Sequence, residues 1–422
     1  MKKTSIIISA VILILATSFF IFFNIKFNED YISESYNYEI LSKKLEGAKS
    51  FDFYHNGEIY ISQGDEIIKI NKDNSKEEVL KKEGQNIGEV KISGEKLFFI
   101  LDEKLMYYNL KTKEEKIILN NIPNYKNIEK NKLLIMDNNL FLTIDSATNA
   151  GILNEEDLSL NPNNQGEKYP INLEFNEKHT ASLSEDKDVE NEKKIENKVL
   201  STASVLKIDM NTFESELFAY GIKNILGIDY DCNKKIYITV GGIEESGARP
   251  LYGDVDYIYT LTNTWYGWPD YSGGDPVNSP RFREQGKVKQ GFLLKKHPNI
   301  PPAPFYQNDE INSLGRLAID KDGVLGTKDS IIIYDKNKES LISLNKSGEK
   351  KELMKIKNSF LSDLKFYNNN FYFLDNKNGY LVEIKCNKKR MGLGSVFFIL
   401  LLITLTLIVI AISFFFKLIR KK

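Results

Sequence analysis

Between two long apolar runs, this chain alternates short hydrophobic segments with polar turns. In six places a turn of Asn, Gly, Lys or Asp leads into a run of Ile, Tyr, Phe or Leu: residues 56–61, 94–100, 138–142, 233–238, 328–334 and 369–374. In four of them a second such segment follows a polar turn, as at 66–71 and 104–110. β-branched and aromatic residues suit a pleated, half-buried surface, and a helical period is nearly absent outside the two apolar runs. Where no large insertion intervenes, the repeats recur at roughly 40–50 residues, the length of a four-stranded propeller blade. One such sheet cannot bury both faces alone, whereas a ring of sheets does. The pattern predicts an all-β fold, a six-bladed β-propeller over residues 40–386; the alternative is an irregular all-β domain with fewer blades.

Two insertions interrupt the ring. Residues 161–201 are polar and charged, without apolar period, and predict a mobile loop. Residues 241–304 are rich in Gly, Pro, aromatics and Arg, and predict ordered loops at the propeller mouth. Within them the proline-rich stretch 298–304 is either a strut along a blade or a docking strip.

The apolar runs, residues 5–23 and 392–416, contain no charge. Each is long enough to cross a hydrocarbon layer of roughly 30 Å as a helix. The first exceeds a signal-peptide core and lacks a small-x-small site, so it reads as a retained anchor over residues 5–24. Lys2 and Lys3 in the stub 1–4, and Lys417, Arg420, Lys421 and Lys422 in the tail 417–422, place both termini in the cytoplasm. The expected location is the cell membrane, with the propeller outside it.

Charge is balanced, with 57 basic and 58 acidic residues, which excludes nucleic acid as a bulk electrostatic partner. Cys232 and Cys386 are the only cysteines, and their spacing leaves pairing open. With His55, His179 and His297 they show no zinc-ligand spacing. No phosphate-cradling Gly-rich loop or Ser-His-Asp arrangement stands out.

The candidate chemistry lies around Thr264-Trp265-Tyr266-Gly267-Trp268-Pro269-Asp270, which holds both tryptophans. Wide flat faces on a fixed backbone suit a wall for a sugar or flat cofactor; the alternative is a sheet corner packed with aromatics. Four of the six arginines, Arg249, Arg281, Arg283 and Arg316, fall in one window. A guanidinium fork grips carboxylate or phosphate, so the window either holds an acidic sugar or bridges to Asp254, Asp256, Asp270 and Asp275. The ligand site expected from these residues is Trp265, Tyr266, Trp268, Asp270, Arg249, Arg281 and Arg316.

Tyr266-Gly267-Trp268-Pro269 followed by Gly273-Gly274-Asp275-Pro276 resembles the soluble quinoprotein glucose and sorbosone dehydrogenases. Residues 140–151 and 205–239 resemble the same family, while the first hundred residues carry little of the likeness. The resemblance implies a six-bladed propeller binding pyrroloquinoline quinone (PQQ) and calcium, with a histidine base and basic residues on the quinone carboxylates. By that likeness Lys223-Asn224 stand where the family has Arg-Asn at the cofactor, and Asp254 is the candidate calcium neighbour. The histidine expected before the third repeat is missing from residues 131–137, and neither His179 nor His297 is at the matching place. Residues 334–338, Tyr-Asp-Lys-Asn-Lys, stand where relatives have His-Gly-Ser with a basic residue. Lack of a base costs a factor of about 10²–10⁴, and Asp137 replaces it only if desolvated. The reading is therefore a membrane-anchored propeller that holds an envelope glycan or acidic sugar without redox chemistry and without a cofactor. The alternatives are a PQQ- and calcium-dependent sugar dehydrogenase and a scaffold for an envelope protein partner.

Overall fold

The computed structural model describes residues 31–33, 36–123, 131–160, 162, 166–169, 200–282 and 289–385. They form six antiparallel sheets of four or five strands, each ordered from an innermost strand outward. The innermost strands are Ala48–Phe53, Ile87–Ser93, Leu133–Met136, Ile225–Tyr230, Leu314–Asp320 and Leu361–Tyr367, for blades 1 to 6. The sequence repeats prove to be the second strand of each blade: Ile59–Gln63, Lys96–Leu101, Asn139–Ile144, Ile236–Val240, Ser330–Asp335 and Asn370–Asp375. All six are dominated by fully buried aliphatic and aromatic side chains, which is why they stood out in the sequence.

The ring closes through its ends. Asn37–Ser42 is the outer strand of blade 6 and pairs with Tyr380–Lys385, Asn37 opposite Lys385. Tyr31–Ile32 adds a further edge strand to blade 5, against Lys350–Ile356. The propeller thus begins a few residues before position 40. Closure leaves no inter-blade face open, and six apolar clusters fill the six seams between neighbouring blades. Near the axis, aspartates stitch adjacent inner strands: Asp363 accepts from the Phe51 amide (3.1 Å), Asp52 from Ile92 (2.7 Å) and Asp229 from Ile319 (2.8 Å).

A seventh cluster lies outside the seams. It packs Trp265, Trp268, Phe282, Leu293 and Leu294 with Ala150, Ile152, Tyr169 and Ala203. This loop block joins the insertions of blades 3 and 4. Among the described residues no helix is long and apolar enough to cross a membrane. The two apolar runs, both basic tails, Cys386, His179, Arg283 and the loop expected to be mobile, apart from a few of its residues, lie outside the described residues.

Candidate functional site

Each innermost strand starts at one end of the axis, and each second strand finishes there. The side chains at those positions enclose a cavity of about 320 Å³. Glu89, Lys132, Asn224, Arg316 and Phe360 come from the starts of inner strands; Asp145, Lys336 and Asn376 directly follow second strands. Four cations, Lys49, Lys132, Arg316 and Lys336, face two carboxylates, Glu89 and Asp145.

The carboxylates are engaged. Glu89 is 3 % exposed and takes the Arg316 fork, at 3.2 Å to Oε1 and 2.7 Å to Oε2, with Lys91 Nζ at 3.3 Å. Burial opposes its charge, but Arg316 and Lys91 outweigh it and hold the carboxyl below its usual range. Asp145 accepts from the Ile225 amide at 3.1 Å. The cations are less settled. Burial, reinforced by Arg316, pushes Lys132 down to about 8 against the pull of Glu89 and Asp145. Burial likewise lowers Lys336, against Asp256, Asp335 and Glu244. Asn224 spends its Oδ1 on the Gly241 amide (3.0 Å). Phe360, 46 % exposed, offers the one large apolar face at the mouth among the described residues.

Beneath this pocket the axis is plugged by charge. Glu89 and Arg316 also line a second funnel of about 430 Å³ at the opposite end, together with Lys91, Asp363, Lys365 and Asp52. Asp363, buried among Lys365, Lys91 and Arg316, is held well below the carboxylate range although burial opposes it.

Of the site residues expected from the sequence that lie among the described residues, only Arg316 and Asn224 reach the axial pocket. The tryptophans do not form an open wall. Trp265 is 1 %, Trp268 3 % and Tyr266 4 % exposed, so no ring face is left for a ligand. Trp265 stacks on His297 (5.4 Å) and meets the edge of Tyr271 (5.7 Å), and its Nε1 donates to the Trp268 carbonyl (3.3 Å). Trp268 Nε1 donates to the Asn149 carbonyl (3.2 Å), ahead of a cis Trp268–Pro269 bond. Gly221, at φ +71°, lies so close under the Trp265 indole that any side chain there would collide with it.

Asp270 is the anchor of this block. Fully buried, it accepts from the amides of Leu293 (2.7 Å) and Leu294 (2.8 Å), from Arg249 Nη2 (3.2 Å), and meets His297 Nε2 at 3.1 Å. Arg249 also donates through Nη1 to the carbonyls of Ala150 (2.6 Å) and Pro269 (3.2 Å) and through Nη2 to that of Gly291 (2.7 Å). Arg281 bridges Asp275 (2.8 Å) and the Tyr257 hydroxyl (2.6 Å). The Lys223 ammonium donates to the Gly242 carbonyl at 2.6 Å, away from the cavity. Asp254 accepts from the amides of Ile243 (2.6 Å) and Val255 (2.9 Å) and from the Tyr257 hydroxyl. Its oxygens serve the blade 4 loop, and among the described residues no three His, Cys, Asp or Glu side chains gather around a cation position.

Lys49, Glu89, Lys132, Asp145, Lys336 and Phe360 were passed over because each is ordinary in its local sequence. Their common signal is position in the blade, which requires the strand register. Lys132 and Lys336 even lie in the two segments where the family likeness implies a histidine.

No family model matches the chain, and no curated protein matches it. Solved structures do. The calcium structure of a Carbohydrate-Active Enzymes Family AA12 protein from Trichoderma reesei aligns with a TM-score of 0.58 at 12% identity, covering 85% of this chain and 97% of the other. The holo PQQ domain of pyranose dehydrogenase from Coprinopsis cinerea gives 0.55 at 12%, covering 84% and 97%. The PQQ-bound aldose sugar dehydrogenase from Streptomyces coelicolor gives 0.52 at 12%, covering 83% and 98%. The resemblance read from the sequence is therefore real at the level of architecture: this chain has the six-bladed propeller fold of the PQQ-binding sugar dehydrogenases, with a sequence far diverged from theirs.

Proposed function

We propose that this chain is a membrane-anchored, extracytoplasmic propeller that binds a small organic anion, such as an acidic sugar, in its axial pocket, and that it transfers no hydride. The observation that carries the reading is a 320 Å³ cavity lined by four cations and only two carboxylates, one of them paired with Arg316. A cavity of that size suits a ligand of sugar dimensions, and buried cations favour anions far more than exposed ones do. Phe360 at the mouth supplies an apolar face for a sugar ring.

The pocket fits only part of what the fold relatives bind. PQQ carries carboxylates, and Lys49, Lys132, Arg316 and Lys336 suit them. Calcium wants several oxygens, and Glu89 and Asp145 are committed to Arg316 and to the Ile225 amide. Among the described residues no histidine lines the cavity to take a hydroxyl proton.

The test is thermal unfolding of the detergent-solubilised full chain with glucuronate and, separately, with PQQ plus calcium. A ligand at 100 times its Kd stabilises by about 2.7 kcal/mol, so glucuronate is expected to raise Tm. Dye-linked sugar oxidation is expected to stay at background with the quinone added. Quinone-dependent oxidation would replace this reading with the second one, a sugar dehydrogenase, which the shared fold and the cationic lining favour. For the topology, protease added to intact cells is expected to remove the propeller and to spare tags on both termini.

A further inference from the structure

We infer that Lys132 is a nucleophilic amine which captures the carbonyl of a small oxo acid as an imine inside the axial pocket. The inference rests on the pocket being an anion site, and deepens it from binding to covalent capture.

The geometry comes first. Lys132 immediately precedes the inner strand of blade 3, and its backbone is fixed on both sides by Thr143. The Lys132 amide donates to Thr143 Oγ1 (2.8 Å), and the Thr143 amide donates to the Lys132 carbonyl (2.9 Å). The side chain is 5 % exposed, yet it forms part of the cavity wall beside Arg316, Lys49 and Lys336. A molecule whose carboxylate is held by those cations brings an adjacent carbonyl against a deeply buried amine.

The electrostatics agree. Lys132 is pushed down to about 8 by burial first and Arg316 second, while Glu89, Asp145 and Asp363 pull the other way. At pH 7.5 about a quarter of such an amine is neutral, against about one in a thousand for an ordinary lysine. A desolvated lysine beside another cation is a recognised way to make an amine nucleophilic near neutral pH.

The chemistry balances without a further reagent. The Nζ lone pair forms a bond to the carbonyl carbon, and the carbonyl π pair moves to oxygen. One nitrogen proton passes to that oxygen, giving a carbinolamine. Nitrogen then forms the C=N bond as the C–O bond breaks, and the oxygen leaves as water with both of the original amine protons. No atom is oxidised or reduced.

The experiment treats the full-length chain in detergent with pyruvate and cyanoborohydride, which reduces the imine and not the ketone, and maps labelled peptides by mass. The expected result is initial labelling of Lys132 at least tenfold faster than of exposed lysines such as Lys72, with a rate that is half-maximal near pH 8 and is suppressed by glucuronate. Labelling of Lys132 no faster than Lys72 overturns the proposal. The two readings fail separately. A thermal shift with glucuronate but no preferential labelling ends the covalent step and leaves the anion site. Preferential labelling without any shift supports capture while removing the acidic-sugar reading.

Discussion

The tryptophan loop block and the axial pocket lie on the same end of the propeller and are opposite in kind. The block concentrates rare residues in one stretch of sequence, and every polar group discussed above finds a partner inside it: Asp270 alone meets four. The pocket draws common residues from all six blades, and burial leaves Lys132 and Lys336 electrostatically uncomfortable. Costly, conspicuous residues here buttress the loops, whereas the candidate site is assembled by topology. An aromatic motif shows where a backbone must be held, and ligand chemistry is better sought where unfavourable charge is left standing.

The contrast breaks most visibly at Asp270. Asp270→Ala leaves Arg249 buried without its carboxylate and frees two buried amides, so denaturant unfolding is expected to show a loss of about 3–5 kcal/mol. A loss below about 1 kcal/mol would mean that the block does not depend on its anchor. Trp268→Ala is expected to cost a similar or slightly smaller amount, about 3 kcal/mol, through the cavity it opens. The folded fraction should nonetheless bind glucuronate with affinity unchanged within about twofold, because the ring never faces the cavity. If calorimetry shows binding lost in a folded Trp268→Ala protein, the aromatic face is the site and the comparison is inverted.

A proton sharpens the same distinction. Glu167 is buried in the block, where Thr148 donates to Oε1 through its amide (2.7 Å) and hydroxyl (2.8 Å). Burial outweighs these bonds and the Thr202 contact, and pushes the carboxyl up to about 7. The folded protein then holds a proton that the unfolded chain has released between pH 4.5 and 7. The stability contributed is complete below about pH 4.5 and lost as pH rises through 7, up to about 3 kcal/mol at 1.36 kcal/mol per unit. Tm measured across that range should fall with pH in the wild type relative to Glu167→Gln. Parallel curves would show that Glu167 is charged in the fold.

How far the sequence revealed this follows from the same physics. The second strands were legible because both faces are buried and each reads as a continuous apolar run. The closing strand Asn37–Ser42 was not, since its partner Tyr380–Lys385 lies more than three hundred residues away and its own residues are mostly half-buried. Arg316 and Asn224, singled out for side-chain type and through a family likeness respectively, line the pocket. Lys49, Glu89, Lys132 and Asp145 were invisible because nothing local distinguishes them from solvated surface. Asp254 and Lys223 illustrate a related point: oxygen and ammonium groups suited to a metal or a quinone are equally suited to the backbone of a long blade 4 loop, which both of them bond.

Lys336 gives the smallest and cleanest test. It lines the pocket directly after the second strand of blade 5, and burial depresses it despite Asp256, Asp335 and Glu244. Its charge is therefore a burden on the fold, not a support. Lys336→Met keeps the length of the side chain and removes the charge, so unfolding free energy should hold within about 1 kcal/mol or rise slightly. Glucuronate affinity should fall about tenfold, the equivalent of 1.4 kcal/mol. The pattern of unchanged stability with weakened binding is the reverse of that expected for Trp268→Ala. A Lys336→Met protein that binds as tightly as the wild type would show that the ligand's charge is met elsewhere, and would leave the cationic lining without the role that the pocket geometry gives it.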